Sequence, residues 1–290
     1  MNTINTNNHN VIICDCGNVI EFDKTDYILQ KTDESGIFYA IGVKCPACGC
    51  LHVKNPEDFD GNALLSTLKG GKKALSDCSW DEIKEAVEVY YNSGEIPFSV
   101  GEKKEISLKH NSSATMVFYG KEHGYEEEFN ERAPLVFGFL DLFGNAVAQM
   151  NEDYTNKGGW EACKMRKYLN KDFINLLPDE LVALLKVIKK KTVNISNKVS
   201  VTEDKIFLPS EVEVYGKVHY SAKGEGYQYD FFKNWRNRVK GYHEVENGEW
   251  WWLRSPCPHS DYRFCVVSSV GRYYCEDANA TDGVSPCFAL

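Results

Sequence analysis

Trp250-Trp251-Trp252-Leu253-Arg254-Ser255-Pro256 and, about thirty residues on, Gly283-Val284-Ser285-Pro286-Cys287-Phe288-Ala289-Leu290 bracket the segment whose reading decides the rest of the chain. Both brackets are aromatic, apolar and proline-punctuated, as buried strands would be. The segment between them, 256–282, has an unusual composition. From Pro256 to Leu290 there is no Lys, Gln, Met or Trp, and Glu occurs once, at Glu276. Ordinary usage would supply about eight or nine residues of those five types. They are also the types that no codon ending in a pyrimidine can encode. Strands and loops disfavour some of them in any protein. What the segment does contain, Tyr, Ser, Asn, Asp and Arg, is the vocabulary of a binding surface, large contact area at low entropic cost with adaptable hydrogen bonds.

Alternation in Phe264-Cys265-Val266-Val267-Ser268 predicts a strand with its apolar members inward. A turn at Ser269-Val270-Gly271 leads to a second strand, Arg272 to Cys275. Tyr273 and Tyr274 are adjacent on that strand and point to opposite faces, so one of them is expected in the core. The candidates for an exposed, ligand-contacting set are Cys257, His259, Ser260, Asp261, Tyr262, Arg263, Arg272, Tyr273, Tyr274, Asp277 and Asn279.

The two brackets resemble the ending of a family of bacterial and phage proteins that close with WWLRSP and then GVRP-A-F-x-L. Ser285 stands where that family usually has Arg. Asn156-x-Gly-Gly-Trp160, the Met165-Arg166-x-Tyr168-Leu169 stretch and Phe207-Leu208-Pro209-Ser210-Glu211-x-Glu213 extend the resemblance to about Ser79–Leu290. It implies an α+β chain: a C-type lectin-like domain of the formylglycine-generating-enzyme branch, with two or more helices packed on small twisted antiparallel sheets. Many members are variable proteins of diversity-generating retroelements, in which copying errors at template adenines rewrite C-terminal codons. The missing residue types are what such rewriting of Asn codons leaves behind. The implied function is a ligand-binding display protein whose partner is a protein or a glycan.

Near the N-terminus, Cys14-Asp15-Cys16-Gly17 and Cys45-Pro46-Ala47-Cys48-Gly49 each follow a short apolar run. Two such knuckles present four thiolates to a tetrahedral zinc ion. This resembles a zinc ribbon over roughly residues 11–56, with Cys14, Cys16, Cys45 and Cys48 as ligands and structural Zn as the cofactor. Cys50 or His52 is an alternate fourth ligand. A polar tail, 1–10, expected to be disordered, precedes the ribbon. A linker at 57–78 follows it, with an acidic run Glu57-Asp58-Phe59-Asp60 and a short helix near Ala63–Leu68. The domain at 79–290 then opens with an amphipathic helix over Trp80–Tyr91, capped by Ser79 and stopped by Gly94. Strands are expected at Phe98–Val100, Glu105–Leu108 and Ala114–Tyr119, and Leu135–Leu142 reads as buried. Further helices should carry Met165, Leu169 and Phe173, and then Leu181, Leu184, Leu185 and Ile188, the latter ending in Lys189, Lys190 and Lys191. The excursion Tyr215–Gly248 should be held by Tyr227, Tyr229, Phe231, Phe232 and Trp235.

A net charge of −9 argues against a duplex nucleic acid held by phosphate neutralisation. No apolar run is long enough to span a membrane, and Met1–Asn10 lacks a signal-peptide pattern. Cytoplasmic synthesis is expected, and eventual virion association is compatible with the resemblance. Two other functions stay open. One is a cysteine and copper oxidase of the kind the fold family includes, drawing on Cys257, Cys265, Cys275 and Cys287. The other is an adaptor organised by the zinc ribbon. The spacings among those four cysteines are not metal knuckles, and no Ser-His-Asp, phosphate-loop or HExxH pattern occurs, so a binding protein is the expectation.

Overall fold

The computed structural model describes all residues except 1–3, 7–8, 15, 17–18, 23–26, 32–38, 54–72, 110–111, 196 and 243–246. The chain divides into two compact units, Met1–Lys73 and Ala74–Leu290. The acidic run at 57–60, the short helix near 63–68 and most of the linker lie outside the described residues.

The first unit contains two three-stranded antiparallel sheets. One is β1 (Ile4–Thr6), β2 (His9–Ile13) and β3 (Val19–Phe22); the other is β4 (Tyr27–Lys31), β5 (Tyr39–Lys44) and β6 (Leu51–Val53). The tail expected to be disordered thus contains β1 and the start of β2, paired from Ile4↔Val11 to Thr6↔His9. The β2–β3 turn carries Cys14 and Cys16, and the β5–β6 turn carries Cys45 to Cys50.

The second unit is α+β. Its first sheet runs β13 (Ile206–Phe207), β18 (Cys287–Ala289), β9 (Leu135–Phe139), β8 (Ser112–Lys121) and β7 (Lys103–Leu108). The second runs β10 (Phe143–Ala148), β17 (Asp282–Val284), β14 (Trp251–Pro256), β15 (Arg263–Val267) and β16 (Tyr273–Asp277). The two sequence brackets therefore sit in different roles. The tryptophan run forms β14 at the middle of the second sheet, and the terminal residues supply a strand to each sheet. β14 runs parallel to β17 and antiparallel to β15. A hairpin, β11 (Ile188–Val193) with β12 (Val199–Asp204), stands apart from both sheets.

The helix α1 (Trp80–Ser93) starts at Ser79 with a reciprocal capping box to Glu82 and ends at Gly94. Its Ile83, Val87 and Tyr90 are buried. Short helices α2 (Tyr125–Phe129), α3 (Gly159–Ala162), α4 (Lys164–Lys171), α5 (Asp179–Leu184) and α6 (Glu211–Tyr215) fill the connections. The core is continuous and aromatic. Phe137 stacks on Phe288 at 5.9 Å, Tyr119 lies flat on Phe231 at 4.6 Å, and Phe232 packs on Trp251. Burial of such rings stabilises by roughly 25 cal/mol per Å² removed from water.

Three further expectations change. Phe98–Val100 forms a bend and a turn rather than a strand, although Phe98 is buried. The helix expected through Ile188 stops at Leu184, and the lysine triplet lies in β11. Strand alternation there turns Lys190 inward, while Lys189 and Lys191 reach Glu131 and Glu128 outside. In the excursion Tyr229, Phe231 and Phe232 are buried as expected, but Tyr227 and Trp235 are exposed.

Gly138 lies where the Tyr119 ring crosses β9; a Cβ there would meet ring carbons at 2.4 and 2.5 Å and the hydroxyl at 2.6 Å. Tyr119 is pinned by its hydroxyl to the Phe139 carbonyl at 3.0 Å and by Lys240. Gly138→Ala should therefore destabilise the unit by about 1–3 kcal/mol, read as a lower urea midpoint. An unchanged midpoint would mean that the ring has room to move.

Candidate functional site

The N-terminal cysteines converge. The Sγ atoms of Cys14, Cys16, Cys45 and Cys48 all lie within 4.8 Å of one another, with Cys14–Cys48 at 3.4 Å and Cys16–Cys45 at 3.7 Å. Four sulfurs at these separations can bind one metal ion. The second knuckle closes through Gly49 N–H to the Cys45 carbonyl and Cys45 N–H to the Cys50 carbonyl, both 2.8 Å, with Gly49 at φ +78°. Only glycine takes that left-handed turn without a Cβ penalty. Backbone amides aimed at sulfur favour a thiolate: Cys48 N–H, aided by Ala47, draws Cys45 down to about 6 against its desolvation. The Cys16 amide acts the same way on Cys14, but burial and the neighbouring thiols push Cys14 up to about 12. Cys50 is exposed and outside the cluster; the His52 side chain lies outside the described residues.

Beneath the C-terminal segment, the second unit holds a buried ionic network. Arg254 of β14 meets Glu213 of α6 through both nitrogens, at 2.5 and 2.7 Å. The same guanidinium donates to the carbonyls of Leu208 and Glu225, each at 3.0 Å. Lys190 reaches Glu213 at 2.6 Å and Glu122 at 2.8 Å, and Tyr229 donates to Glu122 at 2.7 Å. Burial alone would raise the Glu213 carboxyl, but Arg254 and Lys190 hold it down to about 2. Burial raises Glu122. Glu225 accepts from Ser255 and from the Val193 amide. Glu211 uses its carboxylate to hold the backbone of the following loop, accepting from the His219, Tyr220 and Ser221 amides at 2.8–3.0 Å.

The loop after β14 is held by its backbone. Asn156, fully buried, donates from Nδ2 to the Ser260 carbonyl at 2.8 Å and the Arg263 carbonyl at 2.7 Å, and its amide donates to Asp261. Ala278 N–H closes on the Tyr262 carbonyl. His259, Asp261 and Arg263 are exposed, and Ser260 and Tyr262 are half-buried.

The structure sorts the candidate residues into two groups on the β15–β16 hairpin. At one end, Tyr262 stacks on Tyr154 at 4.2 Å, and Arg263 lies over Tyr262 and donates to Asp277 at 2.9 Å. Half-buried Asn279 follows Asp277, its carbonyl accepting from Gln149. At the other end are Arg272, Tyr273 and Tyr274. Tyr273 stacks on His219 at 3.5 Å, Tyr220 approaches both tyrosines, and Tyr274 stands perpendicular to Trp250 at 5.3 Å. Neither tyrosine is core: Tyr273 is 42% and Tyr274 51% exposed. β16 is the edge strand of its sheet, and side chains on both of its faces reach solvent there. By contrast Phe264 to Val267 on the inner strand are all buried, where alternation predicted one covered face.

Cys257 does not belong to the exposed set. It is buried and bridged to Cys275, a pairing that sequence spacing did not reveal. Exposed Tyr154 and Tyr220 and half-buried His219 and Trp250 join this surface although the sequence does not mark them. They lie in segments read as scaffold, and no local pattern marks a residue that becomes a neighbour only through the fold. Among the described residues no helix is long and apolar enough to cross a membrane.

The model of a family described as "Domain of unknown function (DUF6273)" matches residues 140–290, just over half of the chain. No curated protein and no solved structure matches it.

The buried network has a pH signature. Burial pushes Glu225 up to about 7 from an ordinary 4.5, against the opposing pull of Arg254. Between those values the folded chain holds a proton that the unfolded chain has released. Its contribution, about 3 kcal/mol, is present in full below pH 4.5 and lost as pH rises through 7. The urea midpoint should fall between pH 5 and pH 8, and Glu225→Gln should remove most of that fall. An identical slope in the variant would assign it to other groups.

Proposed function

The chain belongs to this family of unknown function, and from that premise we propose that it is a ligand-binding display protein, a retroelement variable protein with a C-type lectin-like domain. Its C-terminal hairpin and preceding loop would recognise a protein or glycan. The observation that carries this reading is the mode of attachment of loop 257–263. Buried Asn156 and backbone amides hold main-chain carbonyls, so exposed side chains can be exchanged without removing the bonds that fix the loop. The near-absence of those codon classes between Pro256 and Leu290, broken once at Glu276, supports the same reading from a different direction. The residues offered to a ligand are His259, Ser260, Asp261, Tyr262, Arg263, Arg272, Tyr273, Tyr274, Asp277 and Asn279. Stacked tyrosines beside an arginine suit a partner with both apolar and hydrogen-bonding surface. The chain acts in this reading by binding, not by catalysis.

In the first unit, Cys14, Cys16, Cys45 and Cys48 would hold zinc as a structural ion, since four thiolates on two knuckles suit tetrahedral Zn²⁺. Elemental analysis of chelator-washed protein should find one zinc per chain, and Cys45→Ser should reduce it at least tenfold. Iron in place of zinc, or no metal, would reject that assignment.

Two measurements test the display reading. Replacing Tyr262, Arg263, Arg272 and Tyr273 together by Ala should lower unfolding stability by no more than about 3 kcal/mol, since the three exposed side chains usually cost within about 0.5 kcal/mol each and half-buried Tyr262 gives up its stack on Tyr154. A loss of cooperative unfolding would show that these side chains carry the fold. Sequencing the flanking DNA should find a near-copy of the 3′ end beside a reverse transcriptase gene, differing only where the copy has adenine. Absence of that copy would remove the retroelement assignment.

A further inference from the structure

Three sulfurs meet inside the C-terminal hairpin. Cys257, at the end of β14, is bridged to Cys275 of β16, and the free thiol of Cys265 lies 3.8 Å from Cys257 Sγ. All three sulfurs are within 4.8 Å of one another. Cys265 and Cys275 stand directly opposite each other in the β15–β16 register, so both share one face of the hairpin with Cys257 against it. Exchange needs the attacking sulfur in line with the bond that breaks, so the Cys265 side chain must rotate from its present position; it starts in contact with the sulfur it would attack.

We propose that Cys257, Cys265 and Cys275 form a thiol–disulfide exchange centre, in which Cys257 bridges either Cys275, as in this structure, or Cys265. The step needs no outside oxidant. When the hairpin opens locally to solvent, Cys265 gives its proton to water or hydroxide, and its thiolate attacks Cys257 Sγ. The Cys257–Cys265 bond forms as the Cys257–Cys275 bond breaks. Cys275 leaves as a thiolate and takes a proton from water.

The two states differ in where the free thiol lies. Cys265 is fully buried, and burial, with the nearby Glu211 and Glu225 carboxylates, pushes its thiol well above the ordinary value. Cys275 is half-buried on the edge strand next to exposed Tyr274. Exchange therefore moves a thiol from a sealed position to the surface that carries Tyr273 and Tyr274, where it becomes a modification site for electrophiles or for a partner's disulfide. The buried thiolate is scarce at neutral pH, so exchange is slow there and quickens with rising pH. This inference does not depend on the identity of any ligand.

Native alkylation tests it. The intact protein is incubated with iodoacetamide at pH 7, 8 and 9, quenched in acid, and mapped unreduced by mass spectrometry. The expected result is alkyl on Cys275 together with a Cys257–Cys265 linked peptide, accumulating about tenfold faster per pH unit. In Cys265→Ser, Cys275 should stay bridged and unlabelled. Because a serine at that buried position can impair folding, Cys275→Ser supplies a second reading. Oxidised with glutathione disulfide, it should yield the Cys257–Cys265 bridge. The proposal is overturned if Cys275 is never labelled, if it is labelled equally in Cys265→Ser, or if Cys275→Ser keeps Cys257 and Cys265 as separate thiols.

Discussion

The buried pair of Arg254 and Glu213 is the constraint on which the second unit depends. Two charges removed from water cost several kcal/mol each unless their geometry is near ideal and their remaining hydrogen-bonding groups are matched. Here the pair is bidentate, Lys190 adds a second cation to the same carboxylate, and carbonyls of Leu208 and Glu225 take further guanidinium protons, which leaves the Arg254 Nε proton without a partner among the described residues. The partners come from β14, α6, β11 and the loop around Glu225, with Glu122 and Tyr229 completing the network. Each segment is therefore committed to one position, because any displacement would strand a charge in the interior.

That commitment explains why the C-terminal hairpin can be chemically permissive. The rings of Trp251, Trp252 and Phe288 and the ionic network lie on the inner side of the brackets. The loop beyond β14 is fastened through main-chain carbonyls by Asn156. Its outward side chains are thus largely uncoupled from the bonds that maintain the fold. The exception is sulfur: Cys257, Cys265 and Cys275 lie within the segment of skewed composition, yet their sulfurs gather against one another, with Cys257 and Cys265 buried and Cys275 half-buried. Substitution at those positions acts on a covalent link, unlike substitution at His259 or Arg272.

Much of this was legible in the sequence where the signal is local. The capping box at Ser79, the buried run of β9, the turn at Ser269-Val270-Gly271 and the clustering of four N-terminal cysteines each follow from residue types at fixed spacing. The misreadings share a different cause. Lys189 to Lys191 resemble a helix C-terminus by composition, but β11 turns Lys190 toward two carboxylates distant in sequence. Tyr273 and Tyr274 obey strand alternation, yet both reach solvent because neither face of the edge strand β16 is fully covered at that end.

By itself, the sequence determined the α+β class, the two-knuckle thiolate cluster and the aromatic brackets around a segment of biased composition. Tertiary structure alone decided that Cys257 pairs with Cys275, that His219, Tyr220 and Trp250 join the exposed tyrosines, and that Lys190 and Arg254 share Glu213. The reason is physical. Propensity, capping and periodicity act between residues a few positions apart, whereas a disulfide, a buried ion pair or a surface patch exists only once distant segments meet.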